Sequence, residues 1–341
     1  MLKIRKINDI FLLFKEEIKK ALSLEKDIEF DVLVPKTKEN GDLSTNVILK
    51  VKNFYKDIDK KEIIVNSINK EKLNIKKVEI VEPGFINIFL DSKWITIVGD
   101  MVIQNGLNII DKSPNKKIVL NIENKQDIDI KSRAESYYFV LKNILSSKGY
   151  DMIDSHKLKE SDNQVIKKNI NLGKLTILRN GVKLEDPIES ILTRKEINFW
   201  SISKTFKSDI DIPLEVSRQN SLGSHYFKIT YLYERTSNVI SILEKEGYNL
   251  PENNEGIVFN DEDGKELIFS ILKLEDVISE SIKFLEPYKL FDYIHTYSEL
   301  FHRYNSNLLL RTKSKEEVLG HLYIMKVVNR FISILLDMIG S

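Results

Sequence analysis

The stretch from Ile118 to Tyr150 most constrains the fold, because strand, polar loop and helix follow one another without a break. Ile118-Val119-Leu120-Asn121-Ile122-Glu123 is an apolar run of strand length, and Ala134 to Lys148 carries apolar residues on a helical period. That order opens a nucleotide-binding α/β unit. Its loop, Asn124-Lys125-Gln126-Asp127-Ile128-Asp129-Ile130-Lys131-Ser132, contains neither glycine nor histidine. A phosphate cradle brings backbone N–H groups close to the ligand, which glycine permits and β-branched Ile128 and Ile130 obstruct. The loop has the position of a nucleotide site without its chemistry.

Three segments surround and include this unit. Residues 1–112 read as an α+β domain. It opens with a helix over 1–22 that places Ile7, Ile10, Phe11, Phe14, Ile18 and Leu22 on one side. A strand over Ile28–Val34 follows, then a turn at Glu39-Asn40-Gly41-Asp42, after which Asp42 or Ser44 can cap a helix to about Lys52. A helix over Lys60–Lys70 precedes strands Lys77–Val81 and Phe85–Leu90, joined by the turn Glu82-Pro83-Gly84, and the helix Lys93–Asn105 closes the domain. Residues 113–212 hold the one strand–loop–helix unit, an Asn-Gly hairpin pairing Leu175–Leu178 with Val182–Leu184, and two short helices near 187–192 and 197–206. A doubly wound domain needs several βα units, so this middle reads as a truncated, Rossmann-like α/β remnant. Residues 213–341 carry helical spacing over Ser221–Glu246, Gly264–Phe284, Pro287–Leu308 and Lys315–Ile339, an all-α bundle.

Composition limits the function classes. The formal charge is +1, divided as about +2 over 1–112, +4 over 113–214 and −5 over 215–341. A polyanion would therefore be held by local placement and stacking, not by a broad positive field. The absence of cysteine excludes disulfides, thiolate metal sites and thiol nucleophiles. His156, His225, His295, His302 and His321 show no ligand spacing, so neither a metal nor another cofactor is expected. The most hydrophobic stretch, Val318 to Met338, is broken by His321, Lys326, Arg330 and Asp337 and reads as a core helix. The first residues lead into an amphipathic helix with no apolar leader, which makes a cytoplasmic location with no membrane association the expectation.

Several segments carry a resemblance. Val34-Pro35-Lys36-Thr37-Lys38-Glu39-Asn40-Gly41-Asp42-Leu43-Ser44-Thr45-Asn46 and Glu82-Pro83-Gly84-Phe85-Ile86-Asn87-Ile88-Phe89-Leu90 lie in the first segment. Tyr231-Leu232-Tyr233-Glu234-Arg235, Leu285-Glu286-Pro287-Tyr288-Lys289-Leu290, Leu300-Phe301-His302-Arg303-Tyr304-Asn305 and Leu335-Leu336-Asp337-Met338-Ile339-Gly340 lie in the last. Together they resemble the N-terminal additional domain and the DALR-type anticodon-binding bundle of arginyl-tRNA synthetases. Aligning Gly149-Tyr150 with that family puts its His-Ile-Gly-His signature on Ile128-Asp129-Ile130-Lys131, with Arg133 matching a family arginine. The Lys-Met-Ser-Lys signature has no counterpart in Gly173-Lys174-Leu175-Thr176-Ile177-Leu178, ahead of Val182-Lys183-Leu184-Glu185-Asp186-Pro187-Ile188. Losing one donor to the transition state commonly costs ~10²–10³ in rate, and here every recognisable one is missing. The expectation is a catalytically inactive paralogue with no catalytic residues.

The resemblance implies that tRNA, conceivably an arginine-accepting one, is the partner. Phe85 and Asn87 lie two apart on a strand and so share a face; stacking and edge reading suit them to a splayed base, and the family places them, with Asn46, at the tRNA elbow. The alternative is that Phe85 is core and Asn87 satisfies a turn. Tyr231 and Arg235, four apart on one helix, share a face fit for an anticodon base, and Tyr304 is a further candidate. The alternative is an aromatic stripe packing helix on helix. The chain would then act as an adaptor or regulator. Two other readings stand beside it: a protein-interaction module whose bundle meets a protein partner or a second copy, and a residual ATP- or arginine-binding enzyme.

Overall fold

The computed structural model describes residues 4–22, 28–51, 67–113, 116–153, 165–217, 225–254 and 256–340. Two packing units divide the chain. The first comprises Met1–Ile109, Tyr248–Lys273 and Leu309–Val327; the second comprises Ile110–Gly247, Leu274–Leu308 and Val328–Ser341. The expected helix over 60–70 and the start of the one at Ser221 lie largely outside the described residues.

In the first unit, helix α1 (Ile7–Ala21) buries Ile7, Ile10, Phe11, Phe14 and Ile18, the stripe its spacing requires. Strands β1 (Val32–Leu33) and β2 (Leu43–Thr45), the short helix α2 (Val47–Val51), and strands β3 (Ile75–Val81) and β4 (Phe85–Leu90) follow, then α3 (Lys93–Asn105). The sheet order is β1-β2-β4-β3, antiparallel throughout, with Leu43 opposite Ile88 and Val81 opposite Phe85. Ile86, Ile88 and Leu90 alternate into the core. Trp94 on α3 donates its indole N–H to the Leu73 carbonyl at 2.7 Å, and its ring centroid lies 5.3 Å from that of Phe14.

Asp42 is not a helix cap. It precedes a strand, where its carboxylate accepts the Leu90 N–H at 2.7 Å and lies 3.1 Å from Lys265 Nζ. Gly41 beside it has φ +85°, and a Cβ there would meet the Ile88 carbonyl oxygen at 2.8 Å, so the Gly-Asp pair is fixed by a close strand approach.

The second unit begins with β5 (Lys116–Ile122), α4 (Ile128–Ser147), β6 (Tyr150–Met152) and β7 (Val165–Ile170). These strands form a parallel sheet in the order β6-β5-β7. Next come β8 (Leu175–Arg179), β9 (Val182–Lys183), α5 (Ile188–Ile191), α6 (Arg194–Ser201), β10 (Ile210–Pro213) and the single turn α7 (Leu214–Ser217). They include a second sheet, β10-β8-β9, in which β8 and β9 make the expected hairpin and β10 runs parallel to β8. The middle is richer in strands than its sequence suggests. Strand β7 is an edge whose central residues, Ile166, Lys167, Lys168 and Asn169, are exposed, so no apolar alternation marks it. The helix α4 also starts six residues earlier than expected, within the stretch read as loop.

The C-terminal third is helical: α8 (His225–Lys245), α9 (Glu262–Ser270), α10 (Leu274–Phe284), α11 (Tyr288–Ser306) and α12 (Lys315–Ile339). A 3₁₀ turn at Ile271–Lys273 separates α9 from α10 where one helix was expected. Packing does not follow the linear order, since residues 248–273 and 309–327 belong with the first unit. There the Tyr323 hydroxyl donates to Asp100 Oδ1 at 2.7 Å, and Lys265 Nζ donates to the Leu90 carbonyl at 2.9 Å. No helix among the described residues is long and apolar enough to cross a membrane.

Gly320 on α12 marks another close approach, since a Cβ there would lie 2.2 Å from the Val258 carbonyl oxygen. Gly320→Ala is expected to destabilise the protein by ~1–3 kcal/mol through overpacking, despite the ~1 kcal/mol helical advantage of alanine. A urea midpoint equal to that of the parent chain would refute this.

Candidate nucleic-acid interface

On β4, Phe85, Asn87 and Phe89 occupy one face. Phe85 is 38% exposed and stands opposite Val81, itself 41% exposed. Asn87 is 2% exposed and its side-chain oxygen accepts the Ser44 hydroxyl at 3.0 Å, so it serves the sheet and cannot reach a base in this conformation. Asn46 is also engaged locally: its oxygen accepts the Asp31 N–H at 2.9 Å and its amide donates to the Asp31 carboxylate at 3.2 Å. Of the three elbow candidates Phe85 is exposed, Asn46 is half-buried and Asn87 is buried. The sequence reading passed over Phe89, half exposed on the same face with Lys77 Nζ 5.4 Å from its ring centroid. The signal was present: the alternation that singles out Phe85 and Asn87 extends two residues further.

In the second unit, α8 and α11 meet along a ladder of side chains. The His225 and His295 rings lie 4.6 Å apart, Lys228 Nζ is 2.5 Å from Glu299 Oε1, and Tyr231 stacks on His302 at 5.9 Å with 12° between planes. Arg235 Nε donates to Asn305 Oδ1 at 3.2 Å. Numbers rise together on both helices, so the two run parallel along this seam. Tyr231 and Arg235 are half-buried and share the face their spacing requires. Tyr304 does not join them. It is fully buried, three residues after buried Phe301, because it continues the core stripe of α11 and not the seam.

A cavity of about 310 Å³ opens on another side of α8, between Tyr226, Thr230 and Tyr233 of that helix and Ser333, Leu336 and Asp337 of α12. Tyr233 is 39% exposed, and the backbone behind it is fixed by the Asn329 amide, which donates to the Tyr233 carbonyl at 3.2 Å and to Thr236 Oγ1 at 2.9 Å. Two tyrosines seven residues apart border a slot that can take a planar ring. Sequence spacing pointed to Tyr231; Tyr233 and Tyr226 were missed because a run of aromatics does not reveal which face carries the cavity.

The third region is a cleft of about 500 Å³ where α4 begins, bordered by β8, β9 and α5. Carboxylates from Glu135, Glu185, Asp186 and Glu189 outnumber the two cations, Lys131 and Lys183. The hydrogen bond from the Ser132 hydroxyl holds the Glu189 carboxyl below the usual range, so it stays ionised. Ile128, 88% exposed, opens the helix at the cleft, whereas Ile130 is 3% exposed and packs inward, so only Ile128 stands where it could obstruct a ligand. The preceding loop is closed by Asn124, whose amide donates to the Leu172 carbonyl at 2.8 Å and whose oxygen accepts the Leu172 N–H at 3.0 Å. The described lining of the cleft thus carries more carboxylates than cations.

Beneath it lies Arg133, fully buried. Its guanidinium donates to four carbonyls: Gly173 at 2.7 Å, Ser208 at 2.6 Å, Thr205 at 3.0 Å and Ser201 at 3.3 Å. Burial pulls its pKa down to about 10, opposed by Tyr137, Asp209 and Glu286, and it remains charged at neutral pH. Nearby, Glu286 Oε2 accepts the Phe206 N–H at 3.1 Å, and the Tyr137 hydroxyl donates to the Leu285 carbonyl. The Glu-Pro pair at 286–287 thus anchors the turn into α11 to the 201–208 segment.

Comparison with known proteins gives two family matches. The arginyl tRNA synthetase N terminal domain matches residues 9–90, and the DALR anticodon binding domain matches residues 229–341. Arginine–tRNA ligases of Staphylococcus aureus strains RF122 / ET3-1 and JH9 are each 26% identical over 156 residues, covering 43% of this chain and 28% of the relative. The matched stretch spans less than a third of the length of those relatives. Among solved structures, the fold is similar to arginyl-tRNA synthetase from Plasmodium falciparum (TM-score 0.65, 11% identity, 100% of this chain and 99% of that one). It is similar also to the enzyme of Thermus thermophilus (TM-score 0.63, 9% identity, 100% and 99%).

Proposed function

From the premise that the chain is an arginyl-tRNA synthetase-like protein with that family's anticodon-binding domain, we propose that it binds tRNA without activating an amino acid, as an adaptor or regulator. The observation that carries this reading is the pairing of Tyr231 and Arg235 on one half-buried face of α8, with the tyrosine-bordered slot on another side of the same helix. Stacking on such rings is sequence-tolerant, and a guanidinium beside them can meet a base edge or a phosphate. Phe85 and Phe89 offer a second stacking surface on the sheet of the first unit. Two features support the loss of chemistry: the carboxylate-lined cleft, and a loop whose Asn124 side chain is taken up by the Leu172 backbone. The acceptor end of the tRNA would then stay free.

Filter binding of the whole chain to total tRNA, with arginine-dependent pyrophosphate exchange run in parallel, tests both halves. Binding is expected at low salt and should weaken roughly tenfold between 50 and 200 mM salt if about two phosphates are held. Exchange should stay at the blank. Absence of binding at 50 mM salt removes the first half of the proposal, and arginine-stimulated exchange removes the second.

A further inference from the structure

His225 is the first residue of α8, and its half-buried ring is enclosed by aromatic and cationic neighbours. From α11 come His295, with ring centroids 4.6 Å apart, and Phe291 at 6.0 Å; from α6 comes Trp200 at 6.2 Å. Within α8 itself Lys228 lies one turn on. The carboxylate on this rung is Glu299, already bound to Lys228 at 2.5 Å and lying 3.8 Å from His295 Nδ1. His225 Nδ1 and the Trp200 indole nitrogen are sealed from solvent without a hydrogen-bond partner among the described residues.

A proton arriving on His225 therefore meets opposition from every side. The imidazole facing His225 is that of His295, and Glu299 lies beside His295, 3.8 Å from its Nδ1. The nearest carboxylate is taken, and Nδ1 has no acceptor to receive a new N–H.

We propose that His225 and His295 form a proton-sensitive latch that holds the first turns of α8 against α11 and α6, and that acidification releases those turns and loosens the grip of Tyr231 and Arg235 on RNA. Burial, then His295, then Lys228 hold the His225 pKa below its ordinary value, with Glu299 acting weakly in the other direction. The sign follows from that depression. The closed latch keeps His225 neutral, while the open turn lets it titrate near 6.5, so stability is complete above about pH 6.5 and falls as pH drops toward the folded value. For one proton, opening becomes up to about tenfold more frequent per pH unit within that window. The effect on RNA rests on the tRNA-binding reading; the effect on the helix does not.

Native-state hydrogen exchange of the whole chain, corrected for intrinsic rates, reads the latch directly. Between pH 6.5 and 5.5 the amides of Ile229–Leu232 should lose several-fold protection in the parent chain, while His225→Phe, whose ring suits the site between Trp200 and Phe291, should show no such loss. His295→Gln, which removes the facing imidazole, should shrink the drop and serves if the first variant does not fold. Equal protection at both pH values in the parent chain, or an undiminished drop in the variants, overturns the proposal. Filter binding to total tRNA at pH 7.5 and 5.5 gives the RNA arm: the parent chain should lose affinity relative to His225→Phe only at pH 5.5. Binding by neither protein at pH 7.5 would count against the tRNA reading alone, with the exchange data still deciding the latch.

Discussion

Arg133→Ala is expected to destabilise the second unit by ~3–5 kcal/mol. The guanidinium is fully buried and supplies the donors for four carbonyls between Gly173 and Ser208. Each carbonyl left without a donor in a dry site costs about 1–3 kcal/mol. Arg133→Lys should recover only part of the loss, because an ammonium cannot span the directions a planar fork reaches. Urea unfolding followed through Trp200, which sits beside this segment on α6, would measure the change. A loss below 1 kcal/mol for the alanine variant would mean that the carbonyl bonds are incidental.

Replacing Tyr231 and Arg235 together by alanine should lower affinity for tRNA by roughly a hundredfold. Stacking contributes about 1–3 kcal/mol per base, and a charged hydrogen bond about 1.5–3 kcal/mol, though the two share one face and will not add fully. The salt dependence of binding should flatten as well, since a cation is removed. Tyr304→Phe is the matched control: its ring is buried in α11, so affinity should be unchanged. Equal binding by the double variant and the parent chain, at matched helical content, would move the interface away from the α8–α11 seam. The tyrosine slot between α8 and α12 would then be the next surface to alter.

Much of the fold was legible because period and punctuation agree. The α1 stripe, the Asn-Gly hairpin at 180–181 and the helices of the C-terminal third follow from local rules, although one expected run, Gly264–Phe284, is divided by a 3₁₀ turn. Strand β7 was hidden because an edge strand with Ile166 exposed and two lysines at its centre has no reason to alternate. Helix α4 was shortened because Asp127, Asp129 and Lys131 resemble a polar loop, although the Lys131 N–H already bonds to the Asp127 carbonyl at 3.0 Å. At the candidate interface, spacing correctly paired Tyr231 with Arg235 but could not separate an exposed Phe85 from a buried Asn87 on the same strand face. Alternation fixes which side of a sheet a residue takes; what lies over that side is decided by distant segments. Tyr304 shows the same limit, since two residues of helix separate the seam from the core.

The lysines of β7 bear on how a three-stranded parallel sheet stays dispersed in solution. Such an edge exposes a row of unpaired N–H and C=O groups, a template on which another chain can add a strand. Lys167 and Lys168, consecutive in the exposed centre of β7 and so projecting to opposite faces, place a positive charge on each side of this margin, which is an edge among the described residues. Two copies meeting along that margin would bring these like charges together, which disfavours strand addition there.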